Sequence, residues 1–175
     1  MKKREESKET PIISLVDLAI LAVFGVLISM FFKFVISPGT IPSESMEPTL
    51  MTGDWVLVNR VSYLFKDPQR GDIVTFYPEE NEEILIKRII GLPGDEISFA
   101  EGYVYVNDAR LYEDYIDDSV KTCCEEEFNV PADCYFVLGD NRENSLDSRF
   151  MHNPYVARDD IKGKFLCVIK RKIKQ

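Results

Sequence analysis

Histidine is almost missing from this 175-residue chain, which has His152 and no other. A three-histidine metal site or a histidine relay is excluded, and a Ser-His-Asp triad would have to use this one residue. It stands in Phe150-Met151-His152-Asn153-Pro154 with no recognisable orienting motif. Basic charge is short as well: 21 Lys and Arg against 30 Asp and Glu leave a net charge of −9. A nucleic-acid partner is excluded on that ground, since binding one needs a basic face that displaces counterions. The four cysteines, Cys123, Cys124, Cys134 and Cys167, lack the paired C-x-x-C spacing of a zinc site. Cys123 and Cys124 are neighbours, so at most one of them bridges a distant partner without strain. Cys134, ending a turn, and Cys167, in the last strand, are a candidate disulfide, with four reduced thiols as the alternative. Internal repeats and low-complexity tracts are absent too, and nothing calls for a metal or an organic cofactor. The length suits one domain of ordinary size.

What the chain does have is an uneven spread of apolar residues. Ile12 to Ile36 is nearly all apolar, interrupted only by Ser14, Asp17, Gly25, Ser29 and Lys33. As a helix rising about 1.5 Å per residue, such a run crosses a hydrocarbon core of about 30 Å. Asp17 and Lys33 lie near its ends, where each reaches the interface. Lys2, Lys3, Arg4 and Lys8 precede it, whereas Lys33 is the only basic residue on the far flank before Arg60. The positive-inside rule then predicts a cytoplasmic tail over 1–11, a transmembrane signal-anchor helix over 12–36 and an extracytoplasmic domain over 37–175, in a single-pass cell-membrane protein. A cleaved secretory signal is the competing reading, with Val35 and Ser37 at the small-residue positions, but Pro38 would then follow the scissile bond. A buried core helix is disfavoured because no polar stripe recurs at helical spacing.

After the breaker-rich link Ser37-Pro38-Gly39-Thr40-Ile41-Pro42 the pattern is β. Trp55–Asn59, Asp72–Tyr77, Ile84–Ile90, Tyr103–Val106, Tyr135–Leu138 and Phe165–Lys170 are short runs rich in β-branched and aromatic residues. Glu101-Gly102 and Asn107-Asp108 read as hairpin turns. The expected fold is therefore mainly β, an antiparallel domain preceded by one transmembrane helix. Glu113–Glu127 is acidic and without periodicity, and reads as a surface excursion.

Three segments carry chemistry. Ile41-Pro42-Ser43-Glu44-Ser45-Met46-Glu47-Pro48-Thr49-Leu50 places two small hydroxyls on a stiff loop between prolines. A nucleophilic serine suits such a loop but needs a base; an ordinary polar turn is the plainer reading. In Glu83–Asp95, strand alternation puts Ile84, Ile86, Arg88 and Ile90 on one face and Leu85, Lys87 and Ile89 on the other. If the second face is buried, desolvation lowers the lysine's pKa and makes a neutral amine available as a general base. Snorkelling at a sheet edge is the commoner fate of a strand lysine. Gly139-Asp140-Asn141-Arg142-Glu143-Asn144-Ser145-Leu146-Asp147-Ser148-Arg149 is dense in donors and acceptors. There Ser145 could orient a lysine amine, and Asp147 could pair with Arg149 or with Arg88. A Ser-Lys pair fits this composition better than a triad through His152.

Taken in order, Pro42–Leu50, Arg70–Phe76, Lys87–Asp95 and Gly139–Arg149 resemble the motifs of the bacterial type I signal peptidases, in the compact form common in Gram-positive bacteria. The resemblance runs from the apolar segment nearly to the C-terminus. It implies coiled antiparallel sheets and a membrane-anchored serine endopeptidase that removes signal peptides from exported preproteins. It implies Ser45 as nucleophile, Lys87 as general base, and the Ser43 hydroxyl with the Ser45 N–H as oxyanion hole. Ser145 would orient Lys87, and Asp147, Arg149 and Arg88 would hold the site together. Ile41, Met46, Leu50 and Ile86 fall where the family builds shallow pockets for Ala-x-Ala-like cleavage sites. An extended peptide would add a strand beside the site. The implied partners are preproteins, the lipid bilayer and, transiently, the secretion translocon. Archaeal and endoplasmic-reticulum relatives carry histidine where this chain has Lys87. The self-cleaving repressors that share a Ser-Lys pair carry a DNA-binding module where this chain has an apolar segment. Two other readings are a catalytically silent peptide-binding membrane module and a dedicated processor of a single client such as a pilin.

Overall fold

The structure, a computed structural model, describes residues 14–78 and 83–170. Lys2, Lys3, Arg4 and Lys8, on which the expected orientation rests, and the expected helix start at Ile12 lie outside the described residues.

Helix α1 spans Leu15–Phe34. Ser14 caps it: its Oγ accepts from Asp17 N–H, and the Asp17 carboxylate accepts from Ser14 N–H, closing a capping box. Its 20 residues span about 30 Å, none is buried against the rest of the chain, and the helix is long and apolar enough to cross a membrane. The helix ends at Phe34, two residues before the expected end, because Ile36 already begins a strand.

That strand is β1, Ile36–Thr40, in the stretch expected to be a breaker-rich link. It pairs antiparallel with β2 (Trp55–Asn59), placing Pro38 opposite Leu57. Proline donates nothing to a ladder, and β1 tolerates it because it is an edge strand. The other strands are β3 (Ile73–Phe76), β4 (Leu85–Gly91), β5 (Glu96–Ala100), β6 (Tyr103–Val106), β7 (Ala109–Arg110), β8 (Phe128–Asn129), β9 (Cys134–Leu138), β10 (Val156–Ala157) and β11 (Ile161–Lys170). They form two antiparallel sheets, ordered β1-β2-β11-β3-β4-β9-β10 and β7-β6-β5-β8. Bulges in β11 and at the end of β4 bend the larger sheet. The mainly β fold behind one apolar helix is thus the one expected. Both expected hairpin turns form, with positive φ at Glu101, Gly102, Asn107 and Asp108 as type I′ geometry demands.

Strands β4 and β9 are covered on both faces, which decides the environment of everything they carry. Ile90, Phe136 and Leu138 join the core shared with the smaller sheet, around Ile97, Val104 and Phe128. Ile89, Tyr135 and Val137 join a second core with Val74 and Phe76. Ile86 enters a third, with Ile41, Met46, Leu50, Val56, Val58 and Ile73.

All four cysteines are free thiols, so the candidate Cys134–Cys167 bridge is not formed. Cys134 is on β9 and Cys167 on β11, with β3 and β4 between them. Three strand spacings come to about 14 Å, twice the Cα separation a disulfide spans.

Candidate active site

Ser45 lies in the turn-rich stretch between β1 and β2. The stretch is closed at its base by Ile41 N–H to Asp54 O at 3.0 Å and Gly53 N–H to Ile41 O at 2.8 Å. Met46 and Leu50, both fully buried, plug it into the third core beside Ile41 and Ile86, so burial pins the residue following Ser45. Lys87 comes from the middle of β4, opposite Val74, and is 2% exposed.

The two meet: Lys87 Nζ donates to Ser45 Oγ at 2.6 Å, across 42 residues of sequence. Burial pulls the Lys87 pKa down to about 8, against the upward pull of the Asp147 and Asp140 charges. A minority of the amine is therefore neutral at neutral pH, rising to about half near pH 8, far more than an ordinary lysine offers. Ser43 Oγ lies 3.3 Å from Ser45 Oγ.

Behind this pair stands a buried polar network. Asp147 pairs with Arg149, at 2.9 Å, and also accepts from Gly139 N–H at 3.0 Å. Of the two arginines considered for Asp147, the structure selects Arg149. Arg88 instead forks onto Asp140 at 2.9 and 2.7 Å and donates to Gly71 O at 3.0 Å. Asp140 also accepts from Thr49 Oγ1 at 2.5 Å, tying the turn that carries Ser45 to the Gly139–Arg149 segment. Asn141 N–H completes the tie by donating to Ser45 O at 3.1 Å.

Ser145 differs from expectation. Its Oγ is buried and makes no hydrogen bond among the described residues, Lys87 included. It lies against Gly139: a Cβ built on that glycine would stand 2.1 Å from Ser145 Oγ and 2.4 Å from Ser45 O. Of the four expected pocket residues, Ile41 and Ile86 line an open groove of about 470 Å³ together with Pro42, Val56, Val58 and Ile84. Met46 and Leu50 do not line it; fully buried, they pack in the core that Ile41 and Ile86 share. His152 sits exposed in the loop before β10.

The acidic stretch Glu113–Glu127, expected as a surface excursion, is in part docked onto the site. Glu113 accepts from Arg142 NH1 and NH2, at 3.1 and 2.5 Å. Thr122 Oγ1 accepts from Arg142 NH1 at 2.7 Å, and the Tyr115 ring lies 3.8 Å from the Arg88 guanidinium carbon. The start of this segment is docked, not a free surface loop. Glu-x-Tyr after a strand was its only local signal. Among the described residues no cluster of His, Cys, Asp and Glu suits a metal ion.

Comparison with known proteins adds an independent line. Residues 12–169 match the family described as signal peptidase, peptidase S26. The chain is 40% identical over 170 residues to a probable signal peptidase I-2 of Synechocystis sp., covering 93% of this chain and 75% of that one. It is 44% identical over 139 residues to a signal peptidase I of Leptolyngbya laminosa, covering 75% and 67%. It is 35% identical over 158 residues to signal peptidase I P of Bacillus subtilis subsp. natto, covering 85% and 84%.

Proposed function

The chain belongs to the S26 family of signal peptidases, which are serine peptidases, and we propose that it cleaves signal peptides from exported preproteins with a Ser45–Lys87 dyad. The observation that carries this reading is the 2.6 Å contact between Lys87 Nζ and Ser45 Oγ, at a lysine whose pKa burial lowers to about 8.

In the productive state the Lys87 amine is neutral and accepts the Ser45 hydroxyl proton. Ser45 Oγ then adds to the scissile carbonyl carbon. Negative charge develops on the carbonyl oxygen, where the Ser43 hydroxyl and the Ser45 N–H stabilise it. The Lys87 ammonium returns its proton to the departing amine, leaving the signal peptide as an ester on Ser45. Lys87 next takes a proton from water, which attacks the ester and frees the serine. Ser145, whose buried hydroxyl makes no hydrogen bond to Lys87 or to any other described residue, is proposed to turn toward the amine and orient it when substrate binds. The Asp147–Arg149 and Arg88–Asp140 pairs fix the backbone around the dyad.

The groove at Ile41 and Ile86 takes the small side chains before the cleaved bond, with β1 offering its free edge to an extended peptide. Helix α1 anchors the enzyme in the cell membrane, with the tail before it cytoplasmic and the β domain outside, beside the translocon from which preproteins emerge.

The test is cleavage of an Ala-x-Ala preprotein by the full chain in liposomes, with the cut mapped by mass spectrometry. Wild type cuts after the second alanine, and Ser45→Ala and Lys87→Ala each lose at least about 1,000-fold in kcat/KM. His152→Ala stays within about twofold. Undiminished cleavage by Lys87→Ala, or its loss in His152→Ala, contradicts the dyad. Binding without turnover by wild type points to the silent module instead.

A further inference from the structure

We propose that the docked part of the acidic excursion is a brace for the dyad, with Glu113 and Tyr115 as positioning residues for the reaction. This rests on the dyad reading of the site.

Arg142 is where the case begins. Its side chain is fully buried, and that of Glu113 is only 9% exposed. A guanidinium withdrawn from water is costly unless its donors are met, and these are met from two directions. Nε donates back to Gly139 O at 3.0 Å, within its own segment. The two terminal nitrogens reach across 29 residues to fork onto Glu113, with Thr122 Oγ1 as a third acceptor. The Tyr115 hydroxyl donates at 2.5 Å to Glu113 Oε1, the oxygen that also accepts from Arg142 Nη2, and burial beside that carboxylate keeps the phenol protonated. The ring of Tyr115 meanwhile covers the Arg88 guanidinium.

These contacts lead to the dyad by two routes. Through Arg88 the brace reaches Asp140, then Thr49 of the Ser45 turn. Through Arg142 it reaches Arg149, which donates to Arg142 O at 2.8 Å, then Asp147, then the Gly139 N–H. Gly139 packs too closely on Ser45 O and Ser145 for even a methyl group, so a small shift of its segment moves the Ser45 turn. Asp140 and Asp147 are also the two charges that support the Lys87 ammonium. The brace therefore sets both the place of the nucleophile and the charge balance around its base.

The experiment compares Glu113→Gln, Tyr115→Leu and Tyr115→Phe with wild type, and uses Glu126→Gln, exposed on the same excursion, as control. Each is full-length in liposomes, and kcat, KM and the pH dependence of kcat/KM are measured per folded molecule, the folded fraction coming from circular dichroism. Glu113→Gln and Tyr115→Leu should each lose about 10- to 100-fold in kcat with KM within about twofold, as expected of a misplacement of reacting groups. Tyr115→Phe, which keeps the ring over Arg88, should recover most of the Leu variant's loss. In Glu113→Gln the uncompensated Arg142 charge disfavours the Lys87 ammonium, so the acid limb moves to lower pH. Lower melting temperatures with wild-type kcat per folded molecule and an unmoved acid limb would overturn the brace and leave the dyad standing. Loss of cleavage in wild type itself would instead remove the dyad reading on which the brace rests.

Discussion

The residue that bears most weight is Lys87, whose burial costs stability for the sake of chemistry. In the unfolded chain its ammonium titrates near 10.5, in the folded one near 8. Between those values the unfolded state binds more protons, so this group's contribution to stability rises with pH through that window. Below about pH 8 the folded protein carries the whole penalty of a buried ammonium. Lys87→Met, similar in volume and uncharged, is therefore expected to gain about 2 kcal/mol at pH 7, with the gain shrinking as pH climbs past 8. Thermal unfolding of both proteins across that range checks it, and an unfavourable Lys87→Met at pH 7 contradicts the desolvation. The apolar neighbours of Lys87 are legible in the sequence, because Leu85 and Ile89 flank it at strand spacing, but the burial of that face comes from packing that strand spacing alone does not fix. Nor is the choice of partners legible: alternation places Arg88 on the opposite face but does not say that it meets Asp140, 52 residues away, and not Asp147.

At the scale of elements, the site is three segments clamped between strands buried on both faces. The apolar runs β2, β4, β6 and β9 are readable to within a residue or so, since their side chains alternate, between two cores in β4 and β9 and between one core and a more open face in β2 and β6. Strand β1 is not, because Pro38 and Gly39 are breakers everywhere except at an edge. The docking of Glu113 to Thr122 is invisible for another reason: its order comes from Arg142 and Arg88, far along the chain, and no local period encodes an ion pair at such range. Gly139, which ends the β9 side of the clamp, offers an element-scale test. A methyl group there meets the Ser45 carbonyl, a backbone atom that cannot turn aside. Gly139→Ala should lose at least about 100-fold in kcat/KM while a folded β domain persists by circular dichroism. Wild-type activity in that variant would show that the turn carrying Ser45 is not held by this contact.

For the whole molecule, one apolar helix runs directly into the edge strand of the larger sheet, and Arg60 N–H reaches back to Val35 O at 2.9 Å. The groove at Ile41 and Ile86 thus lies on the face bounded by β1, the strand that leaves the helix. A single buried lysine beside a serine, in a chain with one exposed histidine, leaves one candidate for the base among the described residues. The most direct measurement is the pH dependence of kcat/KM for the full chain in liposomes on an Ala-x-Ala preprotein, with His152→Ala alongside. In the free enzyme the acid limb reports the essential base. A limb at about 8, shared by both proteins, is the result expected of Lys87. A limb near 6.5 that vanishes in His152→Ala would contradict it, since that is where an ordinary imidazole titrates.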